Sequence, residues 1–280
     1  MGLFTRSRPI RSLLCWLLLA PLIALNLFPF AVMLSTALRP RDEIFINPQR
    51  WLPSRFAFEN FSEMWTSVDY GAAVLNSLYV AVVSVALVLL VGIPSAYALS
   101  RYDFRWKRKY QLFLLITQMV SPIVLALGLF RLFVWLGWID SLDPVAIVVA
   151  AFNLAFSVMM LFNYFSTIPR DIEEAAWIDG ASATTSLIRI FLPLALPALS
   201  VTAMFTFVEV WNEFVITLTL VRSSEHFTLP LEVHALASNL YELKWHHIMA
   251  AVLVATLPVT VLFMWLQRYL VGGMAAGAVK

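Results

Sequence analysis

Six apolar stretches run through this 280-residue sequence, at about 13–36, 74–99, 111–136, 145–165, 191–219 and 248–270. Each is long enough to cross the roughly 30 Å hydrocarbon core of a bilayer at 1.5 Å per helical residue. Inside lipid every backbone N–H and C=O must be paired within the protein, so segments of this kind are expected to be helices. Hydrophobic residues make up 61% and charged residues 13% of the chain, whereas soluble domains hold about 45–50% apolar residues. A soluble protein of this length needs a polar exterior that such a composition cannot supply. The sequence predicts an all-α, polytopic membrane protein with six transmembrane helices. Without an internal repeat, a low-complexity tract or a long linker, residues 1–280 read as a single transmembrane domain.

The first apolar run, Leu13 to Thr36, has a basic front but exceeds the roughly 7–15 residues of a secretion-signal core, so it reads as an uncleaved first span. An even number of spans puts both termini on one side, and the basic residues choose which. "RYDFRWKRK", between the second and third stretches, decides for the cytoplasm, because short loops near helix ends carry the positive-inside signal. With that orientation both termini are cytoplasmic, and the cytoplasmic side holds roughly twice as many Lys and Arg as the outer side. Residues 37–73 and 220–247 then lie outside; the first mixes Pro and Asn with Phe45, Trp51, Phe56, Phe58, Phe61 and Trp65, as suits a headgroup interface. A net charge of +2 gives no reason to expect a nucleic-acid partner. The single cysteine, Cys15, has no intrachain partner and sits in an apolar run, where it is expected to pack as a small residue.

Residues 166–190 break the apolar pattern on the cytoplasmic side. Pro169 suits a first helical position, and Asp171, Glu173 and Glu174 place negative charge on the first turn, where the helix dipole favours it. Gly180 follows Ile178 and Asp179 where a left-handed C-terminal residue is wanted, and Ser182 can cap a second short helix that runs towards Leu192-Pro193. Helix, sharp turn and helix result, with Ala175, Ala176, Trp177 and Ile178 as an apolar surface facing cytosol. A capped turn between membrane helices is the plainer reading of the same signals.

The spacing goes further. Glu174-Ala175-Ala176, three residues, Gly180, nine residues, then Ile190, Leu192 and Pro193 resembles the EAA loop of permease subunits in ATP-binding-cassette importers. "NSLYVA" in the second stretch, "EVWNEF" in the fifth and the terminal "GGMAAGAVK" are similar to the carbohydrate-uptake branch, in its MalG-like half. The resemblance covers nearly the whole chain. It implies a type I importer permease fold in which Glu174 makes the charged contact with a separate ATPase, Ala175 and Ala176 pack closely, and Gly180 turns the chain between two coupling helices. It also implies a bacterial cytoplasmic (inner) membrane location. The implied partners are a second permease in a heterodimer, two ATPase subunits and a periplasmic or extracellular solute-binding protein. The implied cargo is a sugar, polyol or sugar derivative, with ATP and Mg held by the partner ATPase.

The chain itself contains no G-x-x-x-x-G-K-[ST], and no glycine precedes a lysine, so it has no P-loop for ATP. Nor is there a nucleophile-and-base arrangement; a non-catalytic subunit is expected. His226, His234, His246 and His247 all fall in the outer connection 220–247, without metal-ligand spacing. Within the spans, Gln118, Ser121, Arg131, Asn153, Asn163, Glu209, Asn212 and Glu213 are the polar residues of interest. A charge at this depth costs roughly 2.5–3.5 kcal/mol on insertion scales, so it should face protein or water. Gln118, Ser121, Arg131, Glu209, Asn212 and Glu213 are therefore candidates for the substrate path, with interhelical glue as the structural alternative for the carboxylates. Arg131 and Glu213 lie about 8 and 9 Å from the outer ends of their spans, which predicts that they pair. An ion-gradient-driven secondary transporter would use Arg131, Glu209 and Glu213 as its relay, but leaves the EAA-like loop unexplained. A permease for a non-carbohydrate solute shares that loop without the "WNEF" and "AGAVK" segments, and a purely structural subunit leaves its apolar face unused.

Overall fold

A computed structural model describes residues 8–45, 52–238 and 244–277. Thirteen α-helices follow one another among the described residues: α1 (Arg8–Ala37), α2 (Glu59–Ser67), α3 (Tyr70–Arg101), α4 (Lys107–Thr117), α5 (Pro122–Trp135), α6 (Leu142–Phe165), α7 (Arg170–Ile178), α8 (Ala183–Ser186), α9 (Leu192–Leu194), α10 (Leu196–Trp211), α11 (Val215–Leu220), α12 (Leu229–Ala237) and α13 (Trp245–Gly277). Short 3₁₀ turns occupy Arg41–Glu43 and Ser224–His226, and a π-helical turn spans Leu187–Phe191. The chain divides into two compact units, Met1–Val68 with Ala235–Thr256, and Asp69–His234 with Leu257–Lys280.

In the first unit the end of α1 is fastened to α2. The buried Asn60 side chain donates to the carbonyls of Ala37 (2.8 Å) and Arg39 (2.9 Å), closing off groups that a helix end leaves unpaired. Cys15 is exposed on α1, not packed as expected, because no residue in the most apolar part of that helix is fully buried within its own chain. His246 and His247 are not in a loop: they open α13, and each is only 3% exposed.

The second unit is built on α3 against α6, with α10 laid on both. Lipid gives no hydrophobic drive for helices to associate, so close approach depends on small residues at the contact. Ser77, Ala81, Ser84, Gly92 and Ala96 supply them along one face of α3, and all are buried. Opposite stand Val145, Ala146, Val149, Val158 and Leu161 of α6. Two buried hydroxyl contacts pin the register: Ser84 Oγ donates to the Ala146 carbonyl (2.9 Å), and Ser157 meets Thr206 of α10 (3.2 Å).

Four described helices cross the length and apolarity needed for an unbroken span, and two further stretches are broken. The stretch expected at 111–136 is α4 and α5, bent by 94°, and the one expected at 191–219 bends by 78° between α9 and α10. Proline is the cause. Pro122 drives Ser121 into extended backbone (ψ 133°), and Pro197 lies just past the kink residue Ala195. The same stretch breaks again after Trp211, where α10 ends and α11 begins.

The end of the second unit that carries 136–142 and 220–229 is tied by a polar knot. Asp140, in left-handed backbone at φ 59°, accepts from the amides of Arg222 and Ser223 (both 2.9 Å) and from the Ser223 hydroxyl, and its own amide donates to Leu220 O (2.9 Å). The Ser223 hydroxyl first, and then the two amides, hold the Asp140 carboxyl well below the usual carboxylate range. Asn76 of α3 donates to the carbonyls of Glu225 and Phe227, and Ser77 accepts from Leu229 N (2.7 Å). The expected loop 220–247 is thus a folded, stitched segment over its described part.

Candidate functional site

Two places hold the residues expected to carry function, and both lie in the second unit. One is the turn 169–193. Helix α7 runs from Arg170 to Ile178, and Gly180 adopts φ +85°, open to space on the side where a Cβ would stand. The left-handed conformation is what favours glycine there. Ser182 accepts from Thr185 N (3.2 Å) and opens α8, as its position predicted.

Helical phase divides the loop residues sharply. Glu174 and Ala175 are exposed, whereas Glu173 (2% exposed) and Ala176 (8%) turn inwards. Ile172 (39%), Trp177 (46%) and Ile178 (87%) form an exposed apolar rim flanked by the exposed acids Asp171, Glu174 and Asp179. Ile190 and Leu192 are half-buried, and Pro193 is exposed at the start of the broken fifth stretch.

Sequence reasoning gives Glu173 only a helix-dipole role, and the structure makes it an anchor. Its Oε2 lies 3.2 Å from Nε of Arg101, without the alignment of a hydrogen bond, and its Oε1 accepts from the Tyr97 hydroxyl. Arg101 also donates through Nη2 to the carbonyls of Phe165 (3.2 Å) and Ile168 (2.8 Å), and lies 4.6 Å from the Phe191 ring centroid. Tyr97 and Phe165 each meet Phe191 edge to face, at 5.1 and 6.0 Å. Glu173 and Glu174 are chemically identical neighbours, so only the 100° step of the helix separates an anchor from an exposed charge.

The second place is a cavity of about 470 Å³ whose lining includes Gln118, Asn153, Glu209 and Glu213 among Phe152, Phe156 and Phe205. That volume falls within the roughly 300–1,000 Å³ range of small-molecule sites. The break between α4 and α5 delivers Gln118, α6 delivers Asn153, and the end of α10 delivers Glu209. Of the expected path residues, the cavity brings together Gln118, Glu209 and Glu213. Ser121, Arg131 and Asn212 stand outside its lining; all three are exposed, and the Asn212 side chain donates to Val208 O (2.8 Å).

Glu213 and Arg131 do not pair. Glu213 instead caps α11, accepting from Ile216 N (2.6 Å), Thr217 N (3.0 Å) and Thr217 Oγ1 (3.0 Å), a role that exists only because the fifth stretch breaks after Trp211. Arg131 is exposed on α5, and Glu209, exposed on α10, makes no hydrogen bond or ion pair with described residues.

Residues 88–275 match the sequence profile of the family described as "Binding-protein-dependent transport system inner membrane component". The inner membrane ABC transporter permease protein YcjP of Escherichia coli is 34% identical over 267 residues, covering 94% of each chain. The trehalose/maltose transport system permease protein MalG of Thermococcus litoralis is 30% identical and covers 91% of each. Among solved structures, a bacterial ABC transporter involved in import of the acidic polysaccharide alginate aligns with TM-score 0.80 at 22% identity, covering 96% of this chain and 99% of that one.

Proposed function

The chain belongs to the family of binding-protein-dependent transport system inner membrane components and is a permease subunit of an ATP-binding-cassette importer; from that premise we propose that its cargo is a sugar, polyol or sugar derivative and that its 170–190 turn is gripped by a separate ATPase. Relatives named for trehalose and maltose, and for diacetylchitobiose, support the carbohydrate reading.

The observation that carries the proposal is the shape of α7. Trp177 and Ile178 are too exposed and too apolar to face water in a finished assembly, and the three acids around them offer charge to a basic groove. ATP and Mg belong on that partner, which supplies the P-loop this sequence lacks. Closure of two such ATPases pushes α7 and tilts the spans between outward-facing and inward-facing arrangements. On this reading the turn 166–190 and both termini lie in the cytoplasm, and the knot around Asp140 lies at the outer mouth, where a solute-binding protein would dock.

The cavity is the chain's share of the path. Carboxylate and amide oxygens accept from sugar hydroxyls, and the phenylalanine rings offer faces for sugar C–H surfaces. Exposed Glu209 and Arg131 within spans need a watery path or a second permease beside them, which fits a heterodimer. One experiment tests the reading. Tagged chain extracted from the membrane is expected to bring down an ATPase subunit, and Glu174→Arg with Gly180→Trp to abolish uptake while the chain stays in the membrane. Normal uptake by the double variant contradicts it.

A further inference from the structure

We propose that Glu173, through its buried contacts with Arg101 and Tyr97, is the positioning residue that makes α7 one rigid body with the ends of α3 and α6, so that a push on α7 becomes a tilt of those spans. This rests on the reading of α7 as the docking helix for an ATPase.

A short helix on a loop transmits displacement only if it cannot swivel. Helix α7 has nine residues, and the turn at Gly180, closed by Ala181 N donating to Ala176 O (2.9 Å), links it only to α8, so its backbone connections alone give it freedom against α3 and α6. The Arg101 guanidinium removes that freedom. It sits at the last residue of α3, holds the carbonyl of the last residue of α6 (Phe165) and that of Ile168 in the link to α7, and faces Glu173 one turn into α7. Its central carbon lies over the ring of Phe191, in the π-helical turn that leads to the broken fifth stretch. One planar cation on α3 thus reaches α6, the link to α7, α7 itself and the π-helical turn. A planar, forked donor can do this, whereas a lysine ammonium offers a single point charge.

The other carboxylate oxygen is committed to Tyr97, one helical turn earlier on α3. Two contacts from the same carboxylate to two residues of α3 fix the rotation of α7 as well as its position. The side chains are 4% (Arg101) and 2% (Glu173) exposed, so water does not compete for them. Glu174 has no such attachment and is left to meet the partner. Adjacent glutamates therefore divide the work: one holds the helix to the spans, the other presents it.

The test uses the whole assembly, purified with its ATPase, with Cys15 replaced by serine and spin labels at Leu90→Cys on α3 and Asp171→Cys on α7, both exposed positions. Pulsed distance measurement is made without nucleotide and with Mg-ATP. The expected result is one narrow distance, the same in both states, which broadens or splits in Glu173→Gln while the ATPase stays bound. A distance in Glu173→Gln as narrow as in the wild type overturns the proposal and leaves the docking reading standing. So does a wild-type distance that shifts with ATP, because α7 then hinges. If Glu173→Gln cannot be recovered, Tyr97→Phe decides: broadening supports the joint, and an unchanged distance overturns it. Absence of any ATPase from the wild-type preparation defeats the docking reading itself, before any change at Glu173 is made.

Discussion

The carboxylate of Glu173 and the guanidinium of Arg101 form a buried ion pair at 3.2 Å, while the adjacent Glu174 is exposed. Removing one partner of a buried pair strands the other charge, at about 3–5 kcal/mol. Glu173→Ala is therefore expected to lower the thermal unfolding midpoint in detergent substantially. Glu174→Ala, on the exposed side, should stay within about 0.5 kcal/mol of the wild type and yet weaken retention of the ATPase. Equal effects of the two substitutions on unfolding contradict the division.

Gly180 stands at φ +85° with open space where a Cβ would lie. Strain, not collision, decides what replaces it: Gly180→Ala should cost about 1–2 kcal/mol from the left-handed backbone alone. Gly180→Asn, which tolerates that region better, should cost less. Uptake rates are expected to rank Gly, Asn, Ala. An alanine variant as active and as stable as the asparagine variant argues against the turn geometry.

Glu213 and Glu209 both line the cavity but differ in what holds them. Glu213→Ala unpairs the amides of Ile216 and Thr217, both in residues about 1% exposed, with an expected loss of about 1–3 kcal/mol of stability. Glu209→Ala removes no hydrogen bond or ion pair with described residues and should leave the unfolding midpoint unchanged while lowering uptake. The two measurements together separate a capping role from a path role.

The Asp140 carboxyl has its pKa held down chiefly by the Ser223 hydroxyl and then by the Ser223 and Arg222 amides. A carboxylate depressed in the folded state contributes stability above its unfolded pKa of about 3.9, and loses it as pH falls through the folded value. Thermal unfolding should therefore be insensitive to Asp140 between about pH 5 and 8 and should weaken on acidification below about pH 4. Asp140→Asn, able to keep the left-handed backbone at φ 59°, is expected to flatten that acid limb. An unaltered limb contradicts the assignment.

Much of this was legible because the signals were local. Six apolar stretches, the Gly180 turn and the Ser182 cap each follow from a few consecutive residues, and the structure carries all of them, two stretches as bent pairs. What escaped depended on neighbours far along the chain. Nothing within 173–174 says which glutamate faces Arg101, because that requires knowing where the end of α3 lies. Pro122 and Pro197 were visible, but hydropathy averaged over a whole span hides a break of 94° or 78°. Matched depth pairs Arg131 with Glu213 only along straight helices; because α10 ends at Trp211, Glu213 becomes the cap of the next helix.

Uptake by proteoliposomes that hold this chain with the partner permease and ATPase subunits proposed for it, supplied with a sugar-loaded binding protein, tests the proposed coupling most directly. Internal ATP is varied while an ionophore collapses all ion gradients. Accumulation of sugar that requires ATP, survives the ionophore and disappears in Glu174→Arg with Gly180→Trp is the expected result. Accumulation that proceeds without ATP and stops on adding the ionophore would contradict it, and would make Glu209 part of an ion-driven relay instead.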